Sequence, residues 1–205
     1  MFNSIIAIIV SYLLGSISFS ILFARGLRKI DIREHGSGNA GATNTLRVLG
    51  KGPAIAVFLL DIAKGSVAVL IGLWLGEGSE WVPVACGLAA IGGHNWPIYF
   101  RFKGGKGIAT TVGALVIWAF LPTLIAGIVA ILVIVFTRYV SLGSMVFAVW
   151  LPILFYLFHL DAAYIWGALA VALLAIVRHR NNIVKLLNGT ENKLGSGKKG
   201  EPHGA

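Results

Sequence analysis

The chain has 205 residues, of which 57% are hydrophobic and 12% are charged, and its mean hydropathy is +0.85. A soluble domain carries about a quarter charged residues and lacks the interior to hide this much apolar surface. The apolar residues form continuous runs close to the ~20 residues that cross a bilayer as a helix, without the alternation of barrel strands. The sequence therefore predicts an all-α, polytopic membrane bundle and excludes a soluble enzyme.

Seven apolar segments are predicted to span the membrane. In chain order they cover residues 4–24, 53–75, 82–100, 108–121, 122–137, 142–158 and 162–177. The fourth and fifth hold only 30 residues together and meet at Pro122, so an arrangement of five spans is the alternative. Residues 1–194 are predicted to form one membrane domain, and residues 195–205, which are rich in glycine and lysine, a flexible cytoplasmic tail.

The basic residues are unevenly distributed among the connections. Of the 17 lysines and arginines, 16 follow the first, third, fifth and seventh spans, whereas the other connections contain only Glu77, Glu80 and Asp161 as charged residues. Because basic connections stay on the cytoplasmic side, the N-terminus is predicted to lie outside and the C-terminus in the cytoplasm. The arrangement of five spans gives the same orientation.

The remaining basic residue, Lys64, lies inside the second span, three residues after Asp61. Residues three apart share a helix face, and charges at membrane depth are costly unless paired. We expect a buried ion pair that orients this helix within the bundle, and a direct contact with a ligand is the alternative.

The first cytoplasmic connection contains a glycine-rich segment at residues 35–47. Gly36, Gly38 and Gly41 fit the G-x-G-x-x-G pattern, but a dinucleotide site needs a preceding strand and a soluble βαβ unit, and here a membrane span follows. Glycines still let backbone N–H groups approach an anion closely, and Arg47 offers a two-pronged donor for phosphate. The segment predicts a phosphate site, and a polar loop with turn glycines is the alternative.

The second motif follows the third span. It is not a P-loop, because Lys106 precedes Gly107 rather than Ser or Thr. The turn over residues 104–107 nevertheless places backbone donors beside Lys106, just before a helix whose N-terminus favours an anion. His94, near the cytoplasmic end of the third span, either binds a ligand or is a satisfied packing residue.

The third motif covers residues 178–191. If the helix continues there, His179 and Asn182 share a face, and histidine is the usual general base near neutral pH. A basic cap on the last span explains Arg178 and the arginine at position 180, but it explains neither Asn182 nor Glu191.

Together the three motifs resemble the PlsY family, the bacterial acyl-phosphate:glycerol-3-phosphate acyltransferases. The resemblance covers residues 4–193. It rests on Gly36-Ser37-Gly38-Asn39, Thr43-Asn44 and Arg47, on Gly93-His94 with Phe102-Lys103-Gly104-Gly105-Lys106-Gly107, and on His179, Asn182, Gly189 and Glu191.

The resemblance implies a multi-pass enzyme of the bacterial cytoplasmic (inner) membrane whose active site faces the cytoplasm. It would transfer a fatty acyl group from acyl phosphate to glycerol 3-phosphate and give lysophosphatidic acid for phospholipid synthesis, with neither metal nor cofactor. The implied catalytic residues are Ser37, Arg47, His179 and Asn182. The implied substrate-binding residues are Gly36, Gly38, Asn39, Gly41, Thr43, Asn44, His94, Lys103, Gly104, Gly105, Lys106, Gly107, Arg180 and Glu191.

The resemblance also implies partners and leaves two steps open. The two substrates and membrane lipid are expected partners, a soluble phosphate acyltransferase, PlsX, would supply the acyl phosphate, and nucleic acid is not expected. Either His179 or a phosphate of the substrate could take the proton from the glycerol hydroxyl. Ser37 could be a nucleophile or a phosphate ligand, and the ligand role is favoured. The alternative function is a membrane transporter of phosphate or another anion.

Overall fold

The computed structural model describes residues 1–195, which form ten α-helices and two single-turn 3-10 helices, Ile32–Glu34 and Ile98–Phe100. No strand occurs within this range, which confirms the all-α prediction. The predicted tail lies outside the described residues except for Gly195. The α-helices are α1 Phe2–Gly15, α2 Phe19–Arg28, α3 Ala42–Leu49, α4 Lys51–Leu75, α5 Trp81–Asn95, α6 Ile108–Trp118, α7 Phe120–Thr137, α8 Val140–Leu157, α9 Ala162–Arg178 and α10 Arg180–Leu187.

Four helical stretches of the described chain are long and apolar enough to cross a membrane: Phe2–Arg28, Lys51–Leu75, Phe120–Thr137 and Val140–Leu157. A fifth is reached if α9 and α10, which meet at an angle of 58°, count as one span. Helices α5 and α6 cover the third and fourth predicted spans but have only 15 and 11 residues, fewer than a straight crossing needs.

The first predicted span, residues 4–24, is not one continuous helix. A break at residues 16–18 separates α1 from α2, and it takes the carbonyl of Ile17 out of the helical hydrogen-bond pattern. The ammonium of Lys64, on α4, donates to that carbonyl over 2.7 Å. An unpaired carbonyl is costly inside a membrane, so the break depends on a side chain from a distant helix. The two helices together still form one stretch, Phe2–Arg28, that is long and apolar enough to cross a membrane.

Helices α4 and α6 pack with their backbones close together. A Cβ atom on Gly65 would overlap the carbonyl oxygen of Thr110, and one on Gly113 would overlap that of Ile62. Small residues permit such close approach between membrane helices. Since Thr110 is only in the first turn of α6, this helix begins beside the middle of α4, and the loop before it folds back into the bundle.

The acidic connections meet at one end of the bundle. Asn3, at the start of α1, donates to Glu77 over 3.2 Å, and Tyr164, at the start of α9, donates to Glu80. The three motifs gather at the opposite end, where α9 finishes. The fold therefore separates the acidic connections from the basic ones, as the charge pattern requires.

Candidate active site

A cavity of about 610 Å³ is lined by residues from all three sequence motifs. Fifteen of the eighteen predicted site residues line it: Ser37, Gly38, Asn39, Gly41, Thr43, Asn44, Arg47, His94, Gly104, Lys106, Gly107, His179, Arg180, Asn182 and Glu191. Gly36, Lys103 and Gly105 do not.

Three helices begin at the polar end of this cavity. The first residues of α3, α6 and α10, namely Ala42, Ile108 and Arg180, all line it. The first N–H groups of a helix have no partner within the helix, and the helix dipole is positive at that end. Three such ends facing one space make its polar part favourable for anions.

Asn44 shapes the glycine-rich loop of the first motif. Its Oδ1 accepts a hydrogen bond from the backbone N–H of Ser37 over 2.8 Å, and its Nδ2 donates to the carbonyls of Ile32 and His35. Gly36 has a φ of 61°, and a Cβ atom there would overlap Oδ1 of Asn44, so the turn needs glycine. Asn44 thus uses both amide hydrogens on the loop and leaves the exposed Ser37 hydroxyl beside the cavity.

Lys106 joins the second motif to the third, since its ammonium donates to Oδ1 of Asn182. Burial lowers the pKa of Lys106 to about 8; the carboxylate of Glu191 opposes this shift, and the positive charges of Arg178 and Arg47 add to it. A phosphate beside Lys106 would stabilise the ammonium and raise this pKa again. Arg47 itself, in the last turn of α3, is exposed at the edge of the cavity.

Glu191 holds Asn182 in place. Its Oε1 accepts hydrogen bonds from Nδ2 of Asn182 over 2.8 Å and from the hydroxyl of Ser141, on α8, over 2.9 Å. The amide of Asn182 therefore has its oxygen on Lys106 and its nitrogen on Glu191. Glu191 therefore orients the side-chain amide of Asn182. Ser141 also lines the cavity, and sequence reasoning missed it.

His179 lies at the 58° bend between α9 and α10, so the condition of a continuing helix is not met. Its Nδ1 is 2.8 Å from the carbonyl of Ala175, an arrangement that requires a proton on Nδ1 and leaves Nε2 as the acceptor. Burial lowers the pKa of His179 to about 4, and the charge of Lys106 adds to this shift. His179 and Asn182 both line the cavity despite the bend.

The predicted ion pair in α4 is confirmed and extends to His94. Nζ of Lys64 is 2.8 Å from Oδ1 of Asp61 and 3.1 Å from Nδ1 of His94, and all three side chains are buried. Because an ammonium is only a donor, Nδ1 of His94 accepts and Nε2 carries the proton. Asp61 and His94 also line the cavity, whereas Lys64 does not; the alternative, a direct contact with a ligand, stays a prediction.

Gly105 anchors the second motif without lining the cavity. Its N–H donates to the carbonyl of His94 over 3.1 Å, and its carbonyl accepts from Nη2 of Arg178 over 2.6 Å. Arg178 also lies over the ring of Trp96, 5.2 Å from its centre. Arg178 is therefore more than the basic membrane cap that the sequence indicated, because it fastens the second motif to the end of α9.

The Lys103 side chain is exposed and does not line the cavity. The carbonyl of Lys103 accepts a hydrogen bond from Arg33, which also binds the carbonyl of Phe100 over 2.9 Å. Arg33 is held by Asp31 at 2.6 Å, and its hydrogen bond lowers the pKa of the Asp31 carboxyl to about 2. These contacts of Arg33 join the connection after α2 to the connection after α5.

The other end of the cavity is apolar. It lies among α4, α6, α7 and α8, which contribute Phe58, Val112, Ala130, Ile134 and Phe147 to its wall. An aliphatic chain gains about 0.8 kcal/mol for each CH₂ group that it buries. The cavity thus combines an anion-binding end with an end suited to a hydrocarbon chain.

The sequence model of the glycerol-3-phosphate acyltransferase family matches residues 5–189. The chain belongs to this family. A glycerol-3-phosphate acyltransferase from Shouchella clausii (strain KSM-K16) is 57% identical over 201 residues, which are 95% of this chain and 98% of the relative. The same enzyme from Halalkalibacterium halodurans is 55% identical over 193 residues, 92% of this chain and 94% of the relative.

Two crystal structures of PlsY, an integral membrane glycerol 3-phosphate acyltransferase, share the fold of this family member. The glycerol 3-phosphate form matches with a TM-score of 0.89 and 37% identity, and the lysophosphatidic acid form with 0.87 and 36%. Both matches cover 94% of this chain and 96% of PlsY. The resemblance drawn from the three motifs is confirmed.

Proposed function

We propose that this acyltransferase moves a fatty acyl group from acyl phosphate to glycerol 3-phosphate and forms lysophosphatidic acid and phosphate. The observation that carries this function is the two-part cavity, with three helix N-termini and Lys106 at one end and apolar helix faces at the other. The names of the relatives, and the two ligand forms of PlsY, support the acceptor and the product. They give no support to a transporter.

The proposed reaction needs little covalent chemistry from the protein. A glycerol hydroxyl attacks the carbonyl carbon of the mixed anhydride, the bond from that carbon to the phosphate oxygen breaks, and phosphate leaves. Both reactants are anionic and repel each other, and Lys106, Arg47 and the three helix N-termini offset that repulsion. Holding the two reactants in attack geometry supplies about 7–11 kcal/mol of the barrier reduction.

The proton of the glycerol hydroxyl goes to a phosphate oxygen of a substrate in this proposal. His179 is a weak base, because its pKa is about 4, whereas a phosphate ester has its second pKa near 6. Nε2 of His179 is then a hydrogen-bond acceptor for the glycerol hydroxyl and orients it. Ser37, whose hydroxyl is exposed beside the cavity, is assigned to phosphate binding.

The membrane arrangement belongs to the same proposal. Seven crossings, with the N-terminus outside and the C-terminus in the cytoplasm, put the acidic connections outside and the cavity on the cytoplasmic side of the bacterial inner membrane. Residues 1–194 are taken as one domain. Support comes from the separation of the acidic connections from the three motifs at opposite ends of the bundle. The acyl phosphate must come from an enzyme that places acyl groups on phosphate, the role assigned to PlsX.

The test is an assay of the purified protein in detergent with palmitoyl phosphate, glycerol 3-phosphate and a metal chelator. We expect lysophosphatidic acid and phosphate in equal amounts, and no product when palmitoyl coenzyme A replaces the acyl phosphate. Absence of lysophosphatidic acid, together with uptake of labelled phosphate by proteoliposomes, would support the transporter instead.

A further inference from the structure

The apolar end of the cavity runs along one face of α7. Four α7 residues line the cavity: Gly127, Ala130, Ile131 and Ile134. The last three follow Gly127 by three, four and seven residues, which places all four on a single face of the helix. Ile134 and Ile131, which lie nearest the turn into α8, have large side chains, whereas Ala130 has a small one and Gly127 has none. The side chains on this face of α7 therefore become smaller with distance from the polar end.

Helices α7 and α8 are in close contact near the polar end. A Cβ atom on Gly143, in the first turn of α8, would overlap the side chain of Ile134 and lie 2.8 Å from the carbonyl oxygen of Ala130. One turn further along α8 the buried ring of Phe147 lines the cavity. Because α7 and α8 are antiparallel, one turn back along α7 from Ala130 and Ile134 reaches residues 126–130, and we infer that Gly127 lies at the level of Phe147. A Cβ atom on Gly127 would meet nothing within 4 Å.

The level of Gly127 lies part of the way along a long acyl chain. Ser141, which binds Glu191, marks the polar end on α8, and Phe147 is six residues away, or about 9 Å at the helical rise. An extended hydrocarbon chain advances about 1.25 Å per carbon for bonds of about 1.5 Å. The chain therefore passes Gly127 at about its seventh or eighth carbon, and a palmitoyl chain is about twice that long.

We propose that Gly127 determines the length of acyl chain that the enzyme accepts, because the missing side chain leaves the passage opposite Phe147 open. The inference rests on the proposed function, since it concerns the donor of that reaction. A larger residue at position 127 closes the passage to long chains and leaves room for short ones.

The experiment compares kcat/KM for octanoyl phosphate and palmitoyl phosphate, each with glycerol 3-phosphate, in the wild type and in Gly127→Leu. We expect the value for palmitoyl phosphate to fall about 50-fold and that for octanoyl phosphate to stay within about threefold, with Gly127→Ala in between. Gly26→Leu is the matched control, because Gly26 is also a helix position with open space around its Cβ and does not line the cavity. This control leaves the ratio of the two donors unchanged.

The outcomes separate the inference from the function beneath it. A Gly127→Leu enzyme with the wild-type ratio of the two donors overturns the inference and leaves the proposed function standing. An equal loss with both donors also overturns it, with thermal unfolding of the variant reporting whether the fold is intact. A wild type that makes lysophosphatidic acid from neither donor overturns the proposed function, and this inference with it.

Discussion

Lys106 carries its positive charge in a half-buried position, and the partial burial lowers its pKa to about 8. The free enzyme loses this ammonium above pH 8, so we expect kcat/KM to fall about tenfold per pH unit there. Bound phosphate raises the pKa, so the fall in kcat begins at a higher pH. In Lys106→Arg the guanidinium stays charged, and the alkaline fall should disappear. The test is the pH profile of kcat/KM for the wild type and for Lys106→Arg. An alkaline fall of the same size in Lys106→Arg would contradict the role given to the Lys106 ammonium.

Arg47 presents an exposed guanidinium at the edge of the cavity. We predict that Arg47→Lys lowers kcat/KM about 100-fold although the charge is kept, because an ammonium cannot replace two parallel N–H donors to a phosphate. Arg28→Lys, at an exposed position at the end of α2, is the matched control and keeps full activity. Steady-state kinetics with glycerol 3-phosphate as the varied substrate decide, and near-normal activity of Arg47→Lys would refute the assigned role.

His179 is assigned to orienting the acceptor rather than to proton transfer. We therefore expect His179→Asn to raise KM for glycerol 3-phosphate with a smaller change in kcat. The acid limb, which the substrate phosphate sets near pH 6, should stay in place in this variant, since burial lowers the pKa of the His179 ring to about 4. Separate measurement of kcat and KM tests this. A collapse of kcat with KM unchanged would make His179 the base.

At the residue scale, the sequence predicted some of the site residues and missed others. Motif spacing identified Ser37, Lys106 and His179 correctly as residues that line one cavity. It could not identify Arg178 or Ser141, because one binds a backbone carbonyl and the other a carboxylate fifty residues away. Neither partner leaves a local pattern in the sequence.

Between helices, Lys64 is the side chain that links the break in the first span to α4. Lys64→Met removes the donor to the Ile17 carbonyl and leaves the Asp61 carboxylate without its cation. Removing one partner of a buried pair costs about 3–5 kcal/mol. We predict a loss of this size in thermal unfolding in detergent, partly restored when Asp61→Asn is added. Lys51→Met, at the exposed start of α4, is the control, and an equal effect of the two lysine variants would rule out the role given to Lys64.

At the scale of the helices, hydropathy predicted the bounds of three membrane helices correctly. The predicted spans 53–75, 142–158 and 162–177 lie within two residues of α4, α8 and α9 at each end. Helix α6 begins at Ile108, where the predicted span of 108–121 begins, and ends three residues early at Trp118. Its position beside the middle of α4, where Gly65 contacts Thr110, was not predictable. Such a contact depends on how two helices cross, which apolar composition does not encode.

Across the whole molecule, the charge pattern predicts which connections face the cytoplasm. In a Cys86→Ala background, Ser79→Cys in the acidic connection should react with an impermeant maleimide in intact cells. Lys51→Cys, at the opposite end of α4, should react only after permeabilisation. Both positions are exposed, so the difference reports sidedness rather than burial. The reverse labelling pattern would contradict the proposed orientation.

The gathering of the motifs was predicted from their common side of the membrane, but the shape of the cavity was not. That shape depends on three helix N-termini, at Ala42, Ile108 and Arg180, lining the same cavity. This arrangement follows from the bend at His179 and from the loop that folds back before α6. These are tertiary features, and the number of membrane crossings remains a prediction.

The most direct test of a single site for both reactants is an experimental structure of this protein with glycerol 3-phosphate and a non-hydrolysable acyl phosphonate bound together. We predict both phosphorus groups at the polar end of the cavity, within hydrogen-bonding distance of Lys106, Arg47 and the first turns of α3, α6 and α10, and the acyl chain along α7 beside Gly127. Either ligand bound on another face of the bundle, or without contact to all three motifs, would contradict this.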